Sequence, residues 1–518
     1  MWLWIKKYSG FLEPIFFYGF VAFSLYPLFS VSTFPFVDAP AHLGNASLVK
    51  QLWTEPQVGF LHQFISFNHT LVPNWSGHFI LACLLHVVSP EVAEKILLVI
   101  VFAGFPLSVR YLLHVIRKEK KFLSLLAVPI AYNCYSEIGF YNFSLSLIFL
   151  FLNLGFFYHK ILSEKTKWFH YVIMTLLLGG SYFSHIVGFL ITALFMAICY
   201  FVYLSKLEGG ILRGLFSQQS IFLGLAILPI TVLAIIYTLS NHSDAGQISY
   251  LENGVLINHL KNGQLFMVFG GAESAWCVIL SAVYGSVFLF SLIGFAKDAR
   301  RRNVTPDAVL FLLFLLLLTA AYFYLPDGYG MGGFFSLRMA VMMFAFIIPF
   351  AAVSNAWNWL LWPLICLALV THTQRLSFYK EIQTSGNRVA TAIKDQSKFV
   401  ESNSFIVVCD LQYNWIEASY SHYLCLEKPV VTLNNYEYNT LFFPLLWKSS
   451  KMEVIHRALY NFKALELCKE VLGYHSIYYW VKGNPADQGS AGQALKKNLE
   501  NNCTLVNSNI FASLYKLR

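Results

Sequence analysis

Charge is what this 518-residue chain has least of. Asp, Glu, Lys and Arg make up 12% of it, against about a quarter of an ordinary soluble domain. A water-soluble protein of this size needs more charge than that to cover its surface, so a soluble enzyme and a disordered chain are both excluded. A cysteine framework is also lacking. Nine cysteines are present, but no CxxC or Cys/His spacing suggests a zinc site. Cys83, Cys134, Cys199, Cys277 and Cys366 stand singly in apolar segments, and Cys409, Cys425, Cys468 and Cys503 are scattered through the tail. They read as small buried hydrophobes. No Gly-x-Ser-x-Gly, HExxH or Walker pattern occurs, which removes the common hydrolase, zinc-protease and ATPase signatures. There is no internal repeat and no low-complexity segment.

What the chain has in abundance is apolar surface. Hydrophobic residues make up 57% and aromatics 17%, mean hydropathy is +0.57, and long apolar runs recur from residue 11 to about 371. That composition belongs to a polytopic α-helical membrane protein. The net charge of +9 comes from Lys and Arg gathered in short loops between apolar runs. This is the positive-inside pattern, which records topology. No basic face is interleaved with aromatics, so no nucleic-acid partner is expected.

Lys6 and Lys7 place the N-terminus in the cytoplasm, ahead of a first helix near 11–33 with no small-residue cleavage site after it. Arg117, Lys118, Lys120 and Lys121 mark a second cytoplasmic loop. Lys160, Lys165 and Lys167 mark another, as do Lys206 with Arg213, and Lys297 with Arg300, Arg301 and Arg302. Parity between the first two markers requires that one of three apolar stretches not cross. The stretch 76–89 is short, carries His78 and His86, ends at Pro90, and suits the interface. The outer loop then runs over 34–94. Crossings follow at 95–116, 122–136, 141–159, 168–184, 186–205, 220–240, 274–295, 307–325, 339–355 and 357–371, with a polar loop holding His242 and Asp244 after the sixth of these. About 11 transmembrane helices result, and the tail falls outside. The expected division is a membrane domain over 1–371, including the outer loop 34–94, and a domain over 372–518. In the tail, 376–400 reads as an amphipathic helix, and 405–409 and 428–432 read as strands. A small C-terminal α/β domain on the outer face follows.

With this topology the unusual polar residues fall on one side. Asp38 and His42 follow the first span, Glu137 with Tyr141 and Asn142 sits at the second outer turn, and His185 at the third. Asp327 lies in the turn Leu325-Pro326-Asp327-Gly328, and Arg338 opens the next span. Ionisable groups at membrane depth are costly and mark sites by default. Each also has a plainer role: Asp38 as a helix cap, Arg338 snorkelling to headgroups, His185 bonded to backbone. Asp38 and His42 lie four residues apart, on one helical face, where they could share a proton or a divalent metal. The sequence names no cofactor beyond that.

An acidic residue in a large loop just after span one resembles the GT-C superfamily of integral-membrane glycosyltransferases. The motif Asp38-x-Pro40-x-His42, the turn Gly139-Phe140-x-Asn142-Phe143, the turn His185 and the Pro326-Asp327 turn before Arg338 resemble those of its bacterial members. The tail runs Asn434-Asn435-Tyr436-Glu437 and Phe443-Pro444-Leu445 are similar too. The resemblance implies transfer of a sugar from a polyprenyl-phosphate lipid to an acceptor on the outer face of the inner or plasma membrane. Relatives often have a second acidic residue beside the first; here Asp38 has none, and Glu137 is the candidate. On this reading Asp38, with His42 and Glu137, is catalytic. Arg338 and His185 bind the donor phosphate, and Tyr141, Asn142 and Asp327 line the cavity. A transporter or flippase of lipid-linked sugars and a non-catalytic assembly subunit are the rival classes. The lack of a repeat and the outer position of the polar groups weigh against a transporter.

Overall fold

The computed structural model describes residues 2–163, 166–207, 210–240, 248–330 and 332–518. His242, Asp244 and Lys165 lie outside the described residues. The chain forms two compact units. One holds the residues up to Pro27 together with Leu98–Tyr379; the other holds Leu28–Leu97 and Lys380–Arg518.

The first unit is helical and apolar. Among the described residues, seven helices are long and apolar enough to cross a membrane: Pro90–Ile116, Tyr141–Ile161, Ile186–Leu204, Gln218–Leu239, Glu273–Arg300, Pro306–Tyr324 and Phe335–Val353. The first of these begins beyond the boundary of the unit. Trp168–Ser184 is a 17-residue apolar helix, and Trp2–Ser24 precedes the first boundary. Phe335–Val353 is almost wholly buried. It packs against Pro306–Tyr324 and Glu273–Arg300, and its Phe346 gathers the rings of Phe151, Phe195, Phe311 and Phe314.

Two expectations change here. The segment 122–136 is not one helix. It is a 3-10 stretch Lys118–Leu126, a short helix Ala127–Ala131 and another, Cys134–Glu137. Tyr132 and Asn133 interrupt it: both leave helical backbone, and the Asn133 side chain accepts from the Tyr135 and Ser136 amides to start a new turn. Residues 122–137 are all buried, the condition under which broken backbone is tolerated at membrane depth. The last span and the amphipathic helix are also one element, Asn358–Gln396. Polarity changes along it, but its hydrogen bonding does not stop.

The second unit groups residues that the expected domain division separates: residues 28–97 form one compact unit with the tail. The loop supplies helix Ala39–Thr54, strand β1 (Ile65–Phe67) and helix Ser76–Leu84. The last is nine residues long, about 14 Å at 1.5 Å per residue, less than half of a hydrocarbon core. The tail supplies β2 (Ser404–Asp410), β3 (Val430–Thr432), β4 (Leu445–Trp447), β5 (Ile477–Lys482), β6 (Cys503–Ser508) and β7 (Ala512–Leu517). β1 pairs antiparallel with β4, Ile65 opposite Trp447. The other five form one sheet in the order β3-β2-β5-β7-β6. β2 runs parallel to β3 and β5, while β7 is antiparallel to β5 and β6. β5 is buried along its whole length, as its continuous apolar run requires. Gln396 closes the long helix against this sheet, donating to Ala512 O at 3.0 Å and accepting from Trp480 Nε1 at 3.1 Å. Gly386 on that helix has no room for a side chain: a Cβ would meet Pro35 at 2.7 Å and the Tyr420 hydroxyl at 2.9 Å.

Candidate functional site

In the second unit, Asp38 stands at the N-cap of Ala39–Thr54 with Pro40 in the first turn. Its backbone is helical (φ −94°, ψ −14°), and its side chain makes no capping hydrogen bond. The carboxylate is therefore not consumed as a cap, and it accepts from the Tyr436 hydroxyl at 3.1 Å. Val37 enters the turn at φ 30°, a conformation a β-branched residue rarely takes. Burial raises the Asp38 pKa above its ordinary value, with the Glu437 charge adding to it and His42 and Tyr436 opposing. A raised carboxylate pKa suits a group that must take up a proton.

One turn on, His42 meets His78 and Glu437. His42 Nδ1 lies 3.1 Å from His78 Nε2 and 2.9 Å from Glu437 Oε1, and His78 Nε2 lies 3.1 Å from Glu437 Oε2. The three residues are 4%, 1% and 0% exposed, so water does not screen them. Local structure fixes each. Asn435 accepts from the Glu437 amide at 3.1 Å and donates to Asn45 Oδ1 at 2.6 Å, tying the turn Tyr436–Asn439 to the helix that carries His42. The Phe443 ring stands against His42, His78 and Tyr436. Burial alone would raise the Glu437 pKa, but the His78 and His42 imidazoles hold it well below the carboxylate range. Burial pulls the His42 pKa down, and Glu437 with Asp38 more than offsets that. These three residues are the group of His, Cys, Asp and Glu side chains, among the described residues, arranged to hold a metal ion.

The remaining predicted residues lie in the first unit. Arg338 sits in the first turn of Phe335–Val353, where its Nη1 donates to Gly333 O at 2.6 Å. Its guanidinium stands 5.3 Å from the Tyr135 ring centre and 5.7 Å from that of Phe143. His185 joins helices Trp168–Ser184 and Ile186–Leu204, accepting from the Val187 amide at 3.2 Å, and its ring packs edge-on against the same Phe143 at 5.4 Å. Arg338 and His185 are thus brought together across one aromatic ring. Asp327 has a structural job: Oδ1 accepts from Ser336 N at 3.0 Å and its carbonyl from Phe335 N at 3.0 Å, so it starts the Arg338 helix. Its neighbour Gly328 is needed for close approach, since a Cβ there would meet Ser249 Oγ at 2.5 Å. Tyr141 and Asn142 open helix Tyr141–Phe156 and are buried.

Glu137 lies in the unit that also holds Arg338 and His185. It is fully buried, its carboxylate has no hydrogen-bond partner, and the charges acting on it are Arg375 and Glu273. The acidic residue that joins His42 is Glu437, and the second histidine is His78. The tail pattern Asn434-Asn435-Tyr436-Glu437 and the two histidines of 76–89 were the available signals for both.

The chain is a polytopic membrane protein with a small C-terminal sheet domain, and this fold has counterparts among solved structures. Among solved structures, ArnT from Cupriavidus metallidurans in the apo state aligns with a TM-score of 0.53 at 10% identity, over 96% of this chain and 97% of that one. ArnT bound to undecaprenyl phosphate aligns at 0.40 and 9% identity over the same shares. At these identities the likeness is one of fold. No protein-family model matches the chain, and no curated protein does.

Proposed function

We propose that the chain is a glycosyltransferase that moves a sugar from a polyprenyl-phosphate donor to an acceptor hydroxyl on the outer face of the membrane. The observation that carries the reading is Asp38: a carboxylate at a helix start that does not cap the helix, with a raised pKa and a tyrosine hydroxyl on it. The fold shared with ArnT supports this. In this reaction Asp38 takes the proton of the acceptor hydroxyl as that oxygen bonds to the anomeric carbon. The bond from that carbon to the phosphate oxygen breaks, and polyprenyl phosphate leaves. Arg338 holds the departing phosphate with its two-pronged guanidinium, and His185 adds a polar contact there. Tyr141, Asn142 and Asp327 shape the donor cavity. His42 stands beside Asp38, one turn on in the same helix, and Glu137 has no assigned step. The N-terminus lies in the cytoplasm, and the sheet domain lies outside.

The test is transfer by the purified full-length protein in lipid, with a radiolabelled polyprenyl-phosphate sugar. General-base catalysis is typically worth about 10²- to 10⁴-fold. Asp38→Asn should lose that much rate and keep donor binding. An unchanged rate would make Asp38 a structural residue, and absence of transfer by the wild type would move a lipid-linked-sugar transporter ahead.

A further inference from the structure

We infer that His42, His78 and Glu437 form a zinc site. The inference stands apart from the proposed transfer, since it concerns only what these three side chains hold.

Geometry makes the case. A tetrahedral zinc with bonds of about 2.0–2.1 Å spaces its ligand atoms about 3.3 Å apart. Here the His42 and His78 nitrogens lie 3.1 Å apart, and the carboxylate presents one oxygen to each, Oε1 at 2.9 Å from His42 Nδ1 and Oε2 at 3.1 Å from His78 Nε2. Protons alone do not satisfy these three contacts. If both imidazole nitrogens carry hydrogens toward the carboxylate, the contact between the nitrogens joins two donors. If one nitrogen is bare to accept from the other, it turns a lone pair toward a carboxylate oxygen. Glu437 Oε1 in fact has no hydrogen-bond partner despite lying 2.9 Å from His42 Nδ1. A cation at the centre satisfies all three contacts at once. His78 Nδ1 is also buried without a partner. Bonded through Nε2, the ring carries its proton on Nδ1, and the deprotonated nitrogen is the one the metal uses.

The donor set narrows the ion. Two imidazoles and a carboxylate suit zinc, which takes this ligand set in other sites, whereas magnesium and calcium take oxygen. Asp38 is not one of the grouped ligands, so its carboxylate stays available. The fourth position of the tetrahedron is left to water or a bound hydroxyl compound, as in other three-ligand zinc sites. The three ligands come from helix Ala39–Thr54, helix Ser76–Leu84 and the turn Tyr436–Asn439. The ion therefore fastens the turn carrying Tyr436 to the helix that begins at Asp38.

Full-length protein, purified in detergent and stripped with a chelator, is titrated with Zn²⁺ against a chromophoric chelator and with Co²⁺ followed by visible absorption. We expect one tight equivalent and the intense bands of tetrahedral cobalt. His78→Gln and Glu437→Gln should each weaken zinc at least as much as the roughly 10–100-fold that an outer-shell change costs. Absence of a saturable equivalent on the wild-type chain overturns the site, whether or not the variants fold. Unchanged affinity in both folded variants also overturns it. Asp38→Asn should bind zinc as the wild type does, so failure of the transfer reading and failure of the zinc site are separately visible.

Discussion

Both units bury a carboxylate completely, and they neutralise it in opposite ways. In the membrane unit Glu273 accepts from the Val268 and Phe269 amides at 3.0 and 2.8 Å and from the Tyr379 hydroxyl at 2.6 Å, with Arg375 Nη2 at 3.6 Å. Arg375 also donates to the Phe266 and Tyr132 carbonyls at 2.5 and 3.1 Å. In the other unit Glu437 faces two imidazoles. A guanidinium keeps its charge and has no lone pair to offer, so the first cluster is a fixed ion pair that joins helices Glu273–Arg300 and Asn358–Gln396. An imidazole can shed its proton and ligate, so the second cluster can exchange protons for a metal. The same need, a counter-charge for a buried acid, yields a strut in one unit and a binding site in the other.

The comparison breaks first at Arg375. Removing one partner of a buried pair costs about 3–5 kcal/mol, because the other charge is left uncompensated. Arg375→Met should lower thermal stability by that order in detergent, read by heating followed by size exclusion. Adding Glu273→Gln should recover part of the loss. If the single change is silent, Arg375 is not a strut. A smaller effect is expected from the ion at the other cluster. Zinc at a hundred times its dissociation constant should stabilise the native state by about 2.7 kcal/mol, raising the unfolding midpoint of wild-type protein but not of His78→Gln. The smallest effect concerns Arg338, a charged group of the membrane unit that the reading makes a binder, not a strut. Arg338→Lys loses the two-pronged geometry and about one charged hydrogen bond, so donor-lipid affinity should fall about tenfold. Equal loss of stability would return Arg338 to the structural class.

Much of this was legible in the residues. Hydropathy located the long helices, and the β-branched runs located β2 and β3. The pair Asp38 and His42 stood out because both sit on one short helix. What periodicity could not show was long-range. His42 and His78 are 36 positions apart, and His78 and Glu437 are 359 apart, so no local spacing joins them. In the sequence His78 reads only as a reason that its segment does not cross. Glu137 stands out by its place at an outer turn, and the charges that act on it, Arg375 and Glu273, sit in no recognisable motif. The apolarity of 122–136 alone reads as a helix, while Asn133, a residue that favours caps and turns, marks the interruption.

Unit two has no continuous stretch of chain that could form it early. Tyr436 reaches Asp38 across 398 positions, and β1 has no partner strand until Leu445–Trp447 exists. At about 5–20 residues per second of synthesis, the loop waits roughly 20–80 seconds for its other half. During that interval the apolar faces of Ala39–Thr54 and β1 are uncovered, so a biosynthetic intermediate must be kept from aggregating while the membrane helices are made. The protein's yield in a cell should therefore be set less by insertion of its spans than by how long that orphaned segment survives.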